Sequence, residues 1–313
     1  MPLLVALGAC SADDSSPSPD KPSAGQQWTL ETGTFTVESG TERQSCYFYE
    51  VPYDEPVFVN RITATHEVGS HHMNIFRVKT IVALDGAPGS VVDEGECWKS
   101  GNWADWPLVI NNQSDKTPTD WTLPEGVANR FEPREKLMIQ THYVNATTQT
   151  TPGVGKVSVT FYRTPPESVK AELGTLFATN QDIKICPGEK DKTFDTSCRF
   201  AKDQPVTIIG ANGHFHSRGQ TFTMSLFDPV EGTGQEFYSS KTWDDPPFMR
   251  DLHLTVPSGG GISYSCTYTA APNDCGDPAN QCCYTFGPKV ETSEHCNAFV
   301  YYYPRQEQDR ICF

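Results

Sequence analysis

The stretch Val206–Gly219 (VTIIGANGHFHSRG) decides how this sequence is interpreted. Its first residues, Val206–Ile209, are mostly β-branched, which predicts a strand. Residues two apart on a strand project from the same face, so His214 and His216 can present both imidazoles to one point. Neutral imidazole binds copper, zinc, iron and nickel, and two rings fixed on a strand are a rigid start for such a site. The alternative is that two unrelated histidines meet here by chance.

The other histidines repeat this association with strands. Of eight histidines in the chain, six lie in compact strand-like motifs. Neighbours on a regular strand face opposite ways, so two adjacent histidines share one ion only at a distorted position, which Gly69 and Ser70 can supply. We expect His66 and His253 to be ordinary surface residues or neighbours of a ligand, and not ligands themselves. The sequence predicts two three-histidine sites, one in each half of the chain: His71, His72 and His142, and His214, His216 and His295.

Short alternating segments separated by glycine and proline turns are typical of the whole chain from Trp28 onward. The sequence has 24 Gly and 24 Pro, and nothing before residue 165 sustains a helical period. Thr164–Glu167 (TPPE) interrupts the strands because two prolines continue neither a ladder nor a long helix. We predict an all-β protein of two antiparallel, jelly-roll-like β-sandwich domains with disulfides, residues 28–165 and 166–313, after a signal remnant and flexible linker at 1–27.

The cysteines indicate an oxidising compartment. There are eleven, with no paired CxxC spacing of a zinc site, so a disulfide framework is the better interpretation. An odd number leaves one cysteine without a disulfide partner, and we expect it to be Cys10. Leu7–Cys10 (LGAC) resembles the end of a bacterial lipoprotein signal, and residues 11–26 are typical of a flexible spacer. We expect a secreted or cell-envelope protein lipid-anchored at Cys10. The alternative is a cytosolic start with a buried Cys10.

The charge balance limits the partners. With 39 acidic and 24 basic residues the net charge is -15, which argues against nucleic acid and against an anionic membrane surface. No segment approaches the roughly 20 apolar residues of a membrane span. We therefore expect a monomer that meets a membrane only through a lipid at Cys10.

Six fragments in a fixed order carry a family resemblance that runs from about residue 28 to the C-terminus. They are His71-His72-Met73, Gln140-Thr141-His142-Tyr143, Pro187–Lys190 (PGEK), His214-Phe215-His216, Ser265–Tyr268 (SCTY), and Glu294–Asn297 (EHCN) with Tyr302–Pro304 (YYP). With them the chain resembles the copper- and ascorbate-dependent monooxygenases, the family of peptidylglycine α-hydroxylating monooxygenase and dopamine β-monooxygenase.

The resemblance implies two β-sandwiches that hold one copper ion each and face each other across a solvent-filled cleft. It assigns His71, His72 and His142 to an electron-transfer copper. It assigns His214 and His216 to the copper where O2 and substrate react, with ascorbate or another reductant as electron source. The disulfides implied by position are Cys46–Cys97, Cys198–Cys312 and Cys266–Cys296, and the pairing of Cys186, Cys275, Cys282 and Cys283 stays open.

The sequence departs from the family at the third ligand of the reactive copper. The family has a methionine at the position of His295. Imidazole accommodates Cu(II) better than a thioether does, so the substitution predicts a lower reduction potential. The alternative is that His295 is not a ligand and that another group, such as Met249, serves instead.

The substrate positions differ as well. The peptide-amidating members bind a carboxylate with an arginine and a tyrosine, whose positions here match Asn212 and Phe299, while Asn297 matches a retained polar residue. The resemblance thus predicts these three as substrate-binding residues and disfavours a peptidylglycine substrate.

Three functions compete on these observations. The first is an enzyme that hydroxylates an activated C–H of a neutral or weakly polar small molecule, with His214, His216 and His295 at the reactive copper. The second is a non-catalytic copper-binding lipoprotein on the same scaffold, which the histidine in place of methionine favours. The third is a zinc site or a purely structural β-protein.

Overall fold

The chain folds into β-sheets with almost no helix, as the computed structural model shows. It describes residues 26–93, 105–113, 118–146, 152–200, 204–306 and 310–313. The predicted all-β class with two β-sandwiches is confirmed. Cys10 and Cys97 lie outside the described residues. The described part of the chain contains no helix that is long and apolar enough to cross a membrane.

The strands of the first half form two facing sheets and a small two-stranded sheet. One sheet has the order β1-β12-β4-β9-β13 with β8 against β4, the second has the order β6-β3-β10-β5-β7, and β2 pairs with β11. The strands are β1 (Gln27–Glu31), β2 (Phe35–Val37), β3 (Thr41–Glu50), β4 (Val57–His66), β5 (Ser70–Arg77), β6 (Val91–Asp93), β7 (Leu108–Asn112), β8 (Thr119–Thr122), β9 (Val127–Phe131), β10 (Lys136–Asn145), β11 (Gly153–Gly155), β12 (Val157–Thr164) and β13 (Ala171–Glu172).

The apolar side chains that alternate along these strands form the first core. Trp28 on β1 stacks on Phe161 of β12 at 4.7 Å between ring centroids, and Phe131 of β9 meets both rings edge-on. Ile75 and Ile139, from β5 and β10 of the facing sheet, are fully buried in the same cluster. The period-2 pattern therefore places one face of each sheet in the core.

The second half repeats the design. Its sheets have the orders β20-β17-β24-β14-β25 and β16-β21-β18-β19, with a small sheet β15-β22-β23 beside them. The strands are β14 (Gly174–Thr179), β15 (Lys184–Ile185), β16 (Lys192–Arg199), β17 (Val206–His214), β18 (Gly219–Asp228), β19 (Gly232–Ser240), β20 (Met249–Val256), β21 (Gly261–Tyr268), β22 (Tyr284–Phe286), β23 (Ser293–Glu294), β24 (Asn297–Tyr303) and β25 (Arg310–Cys312). The described part of the second half, with the segment that leads into it, also contains the short 3-10 helices Pro166–Ser168 and Pro278–Asn280.

Four disulfides join segments of the second half. Two are those that the resemblance implies, Cys198–Cys312 and Cys266–Cys296. The adjacent cysteines 282 and 283, whose pairing the sequence left open, form Cys275–Cys282 and Cys186–Cys283. Cys46 is also disulfide-bonded. So many bridges indicate an extracellular or otherwise oxidising compartment.

The two halves are in direct contact. Ile209, Phe299 and Tyr301 of the second half are buried within the core cluster of the first. The backbone N–H of Asn111 donates to the Tyr301 hydroxyl at 2.7 Å, which ties β7 to β24. Short β13 pairs in parallel with β9, so the first-half sheet continues a few residues beyond the predicted boundary after residue 165.

Gly213→Ala is expected to destabilise the second sandwich. A Cβ at residue 213 would lie 2.5 Å from Cδ1 of the fully buried Phe222 ring. Overpacking of this kind costs about 1–3 kcal/mol. Urea unfolding measures the loss, and Gly234→Ala is the control because its nearest neighbour would be 3.6 Å away. Equal stability of the two variants would contradict the packing described.

Candidate metal centre

A β-bulge directs two adjacent histidines of the first half to the same place. In the β5–β10 ladder His142 faces His72 and Tyr143 faces Ser70, so His71 is the extra residue. The bulge turns both rings the same way, with centroids 5.1 Å apart. His142 lies 5.0 Å from His71 and 5.1 Å from His72. The distortion expected near Gly69 and Ser70 is thus present.

Three histidines of the second half meet at the end of β17. His214 is the last residue of that strand, His216 follows it, and His295 lies between β23 and β24. The His214 centroid is 5.1 Å from those of both His216 and His295, and His216 lies 4.5 Å from His295. The strand pair His214 and Asn297 brings the two segments together.

All six rings belong to one buried cluster, and this corrects the cleft that the resemblance implies. His214 lies 5.1 Å from His71 and 4.9 Å from His72, and His71 lies 5.6 Å from His216. Contacts on both flanks hold the halves together: Gln113 Nε2 donates to the Trp243 carbonyl at 2.6 Å, whereas Gln44 Nε2 donates to the Pro288 carbonyl at 3.1 Å. We call the six the histidine cluster: His71, His72, His142, His214, His216 and His295, each at most 5% exposed.

Two groups of three rings within the cluster have ligand nitrogens within 4.8 Å of one another: His71, His72 and His214, and His214, His216 and His295. The second group is the one that the sequence predicted. The first differs, because His214 takes the place expected for His142. His142 lies beside this group, and its Nε2 donates to the carboxylate of Glu42 on β3 at 2.8 Å.

Hydrogen bonds at the outer nitrogens orient the rings. His214 Nδ1 donates to Gln113 Oε1 at 2.6 Å, and His216 Nδ1 donates to the Ser293 carbonyl at 3.0 Å. Each of these rings presents its other nitrogen, Nε2, to the interior, and His142 presents Nδ1. Among the described residues, no hydrogen-bond partner is found for these nitrogens, nor for His71 Nε2 and His72 Nδ1. Since an unsatisfied buried polar atom costs about 1–3 kcal/mol, these five nitrogens mark the cluster as a candidate metal site.

Burial favours the neutral, metal-binding form in five of the six rings. Burial is the largest cause that lowers the pKa of five rings, and for most of them neighbouring histidines lower it further: His71, His72, His214, His216 and His295. For His216 the pKa falls to about 3. Neutral imidazole is the metal-binding form, so no proton has to be displaced near neutral pH.

The donor set fits copper, although it also suits zinc, iron and nickel. Both groups consist of imidazoles alone, with no carboxylate oxygen of the kind that calcium and magnesium prefer. Met249, the alternative ligand, is 37% exposed on β20, whereas His295 is 2% exposed. The structure therefore supports His295 as a ligand in preference to Met249.

Glu42→Ala is expected to weaken metal binding about 10- to 100-fold, because Glu42 fixes the His142 ring from the side away from the cluster. The affinity is measured by competition with a chelator of known strength. Glu38→Ala, at an exposed site near the same strand, is the matched control. An unchanged affinity in Glu42→Ala would show that His142 takes no part in the site.

A cavity of about 170 Å³ opens against the histidine cluster. His72, His214 and His295 form one wall, so the cavity touches both three-ring groups. Its other lining residues are Asn74, Phe76, Asn111, Gln140, Phe177, Thr179, Gln181, Phe286, Asn297, Phe299 and Phe313. Asn297 and Phe299 thus occupy the place predicted for substrate-binding residues.

Asn212, the third predicted substrate residue, does not line this cavity. It lines a neighbouring one with Asp245 and Arg250. Its side-chain amide donates to Asn111 Oδ1, and Asn111 reaches both cavities. His66 and His253, which we expected outside the sites, lie away from the cluster, His253 being exposed on β20.

Three residues that shape the site escaped sequence reasoning: Glu42, Gln113 and Glu294. Glu294 is fully buried, and its carboxylate accepts hydrogen bonds from the backbone N–H of His216 at 2.9 Å and of Arg218 at 2.8 Å. Burial raises its pKa to about 8. Only Glu294 carried a signal, since it is an acidic residue directly before His295 in a buried segment.

Comparison with known proteins finds no matching family model and no matching curated protein. Solved structures that are similar include the STIV MCP, with 9% identity over 90% of this chain and 97% of that chain at a TM-score of 0.32. N-glycanase F (PNGase F) has 8% identity over 90% of this chain and 96% of that one at a TM-score of 0.34. The CBM22-1-CBM22-2 tandem domain from Paenibacillus barcinonensis Xyn10C has 8% identity over 87% and 83% at a TM-score of 0.22. TM-scores this low carry no argument about the activity.

Proposed function

We propose that this protein is a copper-dependent monooxygenase that hydroxylates a C–H bond of a small molecule with O2 and a reductant such as ascorbate. The observation that carries the proposal is the cavity that contacts His72, His214 and His295 at once. A metal held by either three-ring group would lie at the wall of a space that a small molecule can enter. The family resemblance supplies the reaction class.

The residues that would hold copper are the two groups that share His214. Copper bound there would supply the one-electron chemistry that activates O2 toward a C–H bond. The protein's own part is to keep the rings neutral and correctly turned, through burial and through the hydrogen bonds of Gln113 and the Ser293 carbonyl. The stacked pair Phe177 and Phe299 excludes water from one side of the cavity.

The second candidate is a non-catalytic copper-binding protein. The imidazole of His295 in place of a thioether favours it, because three imidazoles stabilise Cu(II) and slow its reduction. The two candidates differ in turnover. We therefore measure O2 consumption by the copper-loaded protein with ascorbate over a panel of small molecules, together with hydroxylated product. Consumption coupled to product supports the monooxygenase, and bound copper without either supports the binding protein.

His295→Met is expected to raise the reduction potential of the bound copper, because a thioether stabilises Cu(I) relative to Cu(II). The potential is measured by redox titration of the copper-loaded protein, followed by the Cu(II) spectrum. His253→Met, on the exposed β20, should leave the potential unchanged. If both variants keep the potential of the natural protein, His295 is not a copper ligand.

We also propose that a lipid on Cys10 anchors the protein to a membrane of the cell envelope. Its support is the sequence Leu7–Cys10 together with the linker-like composition after it. Mass spectrometry of the protein from its natural membrane fraction tests for a lipid on Cys10, and a Cys10→Ser variant recovered only in the soluble fraction would agree.

A further inference from the structure

Four side-chain amides form a hydrogen-bonded row that crosses between the two halves. Asn212 Nδ2 donates to Asn111 Oδ1, Asn111 Nδ2 donates to Asn74 Oδ1 at 2.6 Å, and Asn74 Nδ2 donates to Gln140 Oε1 at 2.9 Å. Strand register produces the row, because Gln140, Asn74 and Asn111 are paired on β10, β5 and β7. Every amide thus donates in the same direction, and such chains polarise their members cooperatively.

The row ends on a donor that the protein leaves open. Gln140 is 1% exposed, and no partner for its Nε2 is found among the described residues. The same side chain lines the cavity and lies against the His72 ring. Because the other three amides polarise it, this N–H is a strong donor for an acceptor atom in the cavity.

The second half also supplies buried polar side chains to this cavity. Thr179 and Asn297 face each other on β14 and β24 and both line the cavity. Within the described part of the chain, Thr179 Oγ1 and Asn297 Oδ1 are buried atoms without a hydrogen-bond partner. A buried acceptor and a buried hydroxyl therefore line the same cavity as the donor of Gln140. Buried polar groups of this kind are satisfied by a ligand or by water.

The remaining wall is aromatic and uncharged. Phe177 stacks on Phe299 with ring centroids 5.3 Å apart, Phe76 meets Phe177 edge-on, and Phe286 stacks on the His295 ring at 4.9 Å. Among the described residues that line the cavity, no side chain is Asp, Glu, Lys or Arg. Without a metal ion at the histidine wall, an ionised ligand would lose its hydration there without gaining a partner of opposite charge.

We propose that this cavity is selective for a neutral, flat, aromatic-sized molecule carrying one uncharged group that both accepts and donates hydrogen bonds, such as a carboxamide. Gln140 donates to its acceptor atom, and Thr179 and Asn297 serve its donor. A cavity of about 150 Å³ holds a benzene ring, so 170 Å³ suits a ring with a small substituent. As the substrate class of the monooxygenase this rests on the proposed function, whereas the selectivity itself rests on the cavity alone.

Three probes of nearly equal shape test the selectivity: benzamide, benzoate and benzamidinium. Binding is measured by ligand-observed NMR and by calorimetry on the protein as purified and after dialysis against a chelator, so that a carboxylate bound to metal is recognised. We expect benzamide to bind the dialysed protein at least tenfold more tightly than either ion does, whereas a bound metal ion can strengthen benzoate binding to the protein as purified. Equal binding of an ion after dialysis, or no binding of benzamide, overturns the proposal.

Two variants test the polar groups. Thr179→Val removes a hydroxyl that has no hydrogen-bond partner among the described residues, so we expect unchanged or higher thermal stability together with about three- to tenfold weaker benzamide binding. Gln140→Met should weaken the binding of benzamide by a similar factor. It should leave the binding of toluene unchanged, because toluene makes no hydrogen bond. Benzamide affinity unchanged in Thr179→Val contradicts the assignment even if Gln140→Met fails to fold.

The failure of this proposal and of the proposed function can be told apart. If benzamide is selected over the ions but the copper-loaded protein consumes no O2, the cavity assignment stands and the oxygenase fails. If O2 consumption is coupled to product while benzoate binds as well as benzamide, the oxygenase stands and the neutral substrate class is wrong.

Discussion

Replacing His214 by alanine is expected to remove metal from both three-ring groups at once. His214 is the ring that the two groups share, and its Nε2 faces the cluster while Nδ1 is held by Gln113. Loss of an orienting neighbour already costs about 10- to 100-fold in metal affinity, so loss of a shared ligand should cost more than about 100-fold. Metal analysis of the purified variant and a chelator competition measure the change.

Two further variants sharpen this experiment. His295→Ala leaves the group of His71, His72 and His214 intact, so we expect it to lose only part of the bound metal. His253→Ala changes an exposed histidine and should retain all of it. If His214→Ala kept as much copper as His253→Ala, the shared role of His214 would be wrong.

Glu135→Gln is expected to destabilise the first sandwich by about 3–5 kcal/mol. The Arg77 and Glu135 side chains form an ion pair and are only 4% and 6% exposed, and the Arg77 guanidinium also donates to Asn129 Oδ1. Removing the carboxylate charge leaves Arg77 buried with its positive charge uncompensated. Urea denaturation measures the loss, and Glu132→Gln, which changes an exposed surface pair with Arg130, should cost less than about 1 kcal/mol.

The same pair gives the first sandwich a pH dependence. Burial alone would raise the pKa of Glu135, but the charges of Arg77 and Lys79 outweigh it and hold the pKa below its ordinary value. A carboxyl with a lowered pKa contributes stability above its unfolded pKa, about 4.3, and loses it as the pH falls through the folded value. The stability difference between natural protein and Glu135→Gln should therefore be constant near neutrality and shrink below about pH 4. A difference that grew on acidification would contradict the ion pair.

Local patterns in the sequence account for most of the fold and for half of the site. Alternation predicts the strands, and the β-branched run before His214 correctly predicts β17. The pair Gly69 and Ser70 correctly indicates a distortion, realised as the bulge at His71. These features depend on neighbours within a few residues, which a single sequence displays directly.

Contacts between distant segments were beyond the sequence. The pairing of β10 with β3 places Glu42 against His142, 100 residues apart, and that hydrogen bond fixes the His142 ring beside the first three-ring group. The packing of Ile209 and Tyr301 into the first core brings the halves together, so the two predicted sites become one cluster instead of facing each other across solvent. Neither contact leaves a periodic or motif signal along the chain.

The amide row shows the same limit for the cavity. Gln140 belongs to the family-like fragment Gln140–Tyr143, but Asn74 and Asn111 are ordinary polar residues that no motif singles out. Their alignment requires the register of three strands, and the open donor of Gln140 requires all four amides to be oriented together. The chemistry of the cavity is therefore a property of the assembled sheet.

The most direct test of the central claim is an anomalous diffraction map at the copper edge from crystals of the copper-loaded protein. The account predicts a copper peak within bonding distance of His214 Nε2 and of the ring nitrogens of His216 and His295. Copper found only at surface sites such as His253, or six histidine rings free of anomalous density in a loaded crystal, would contradict it.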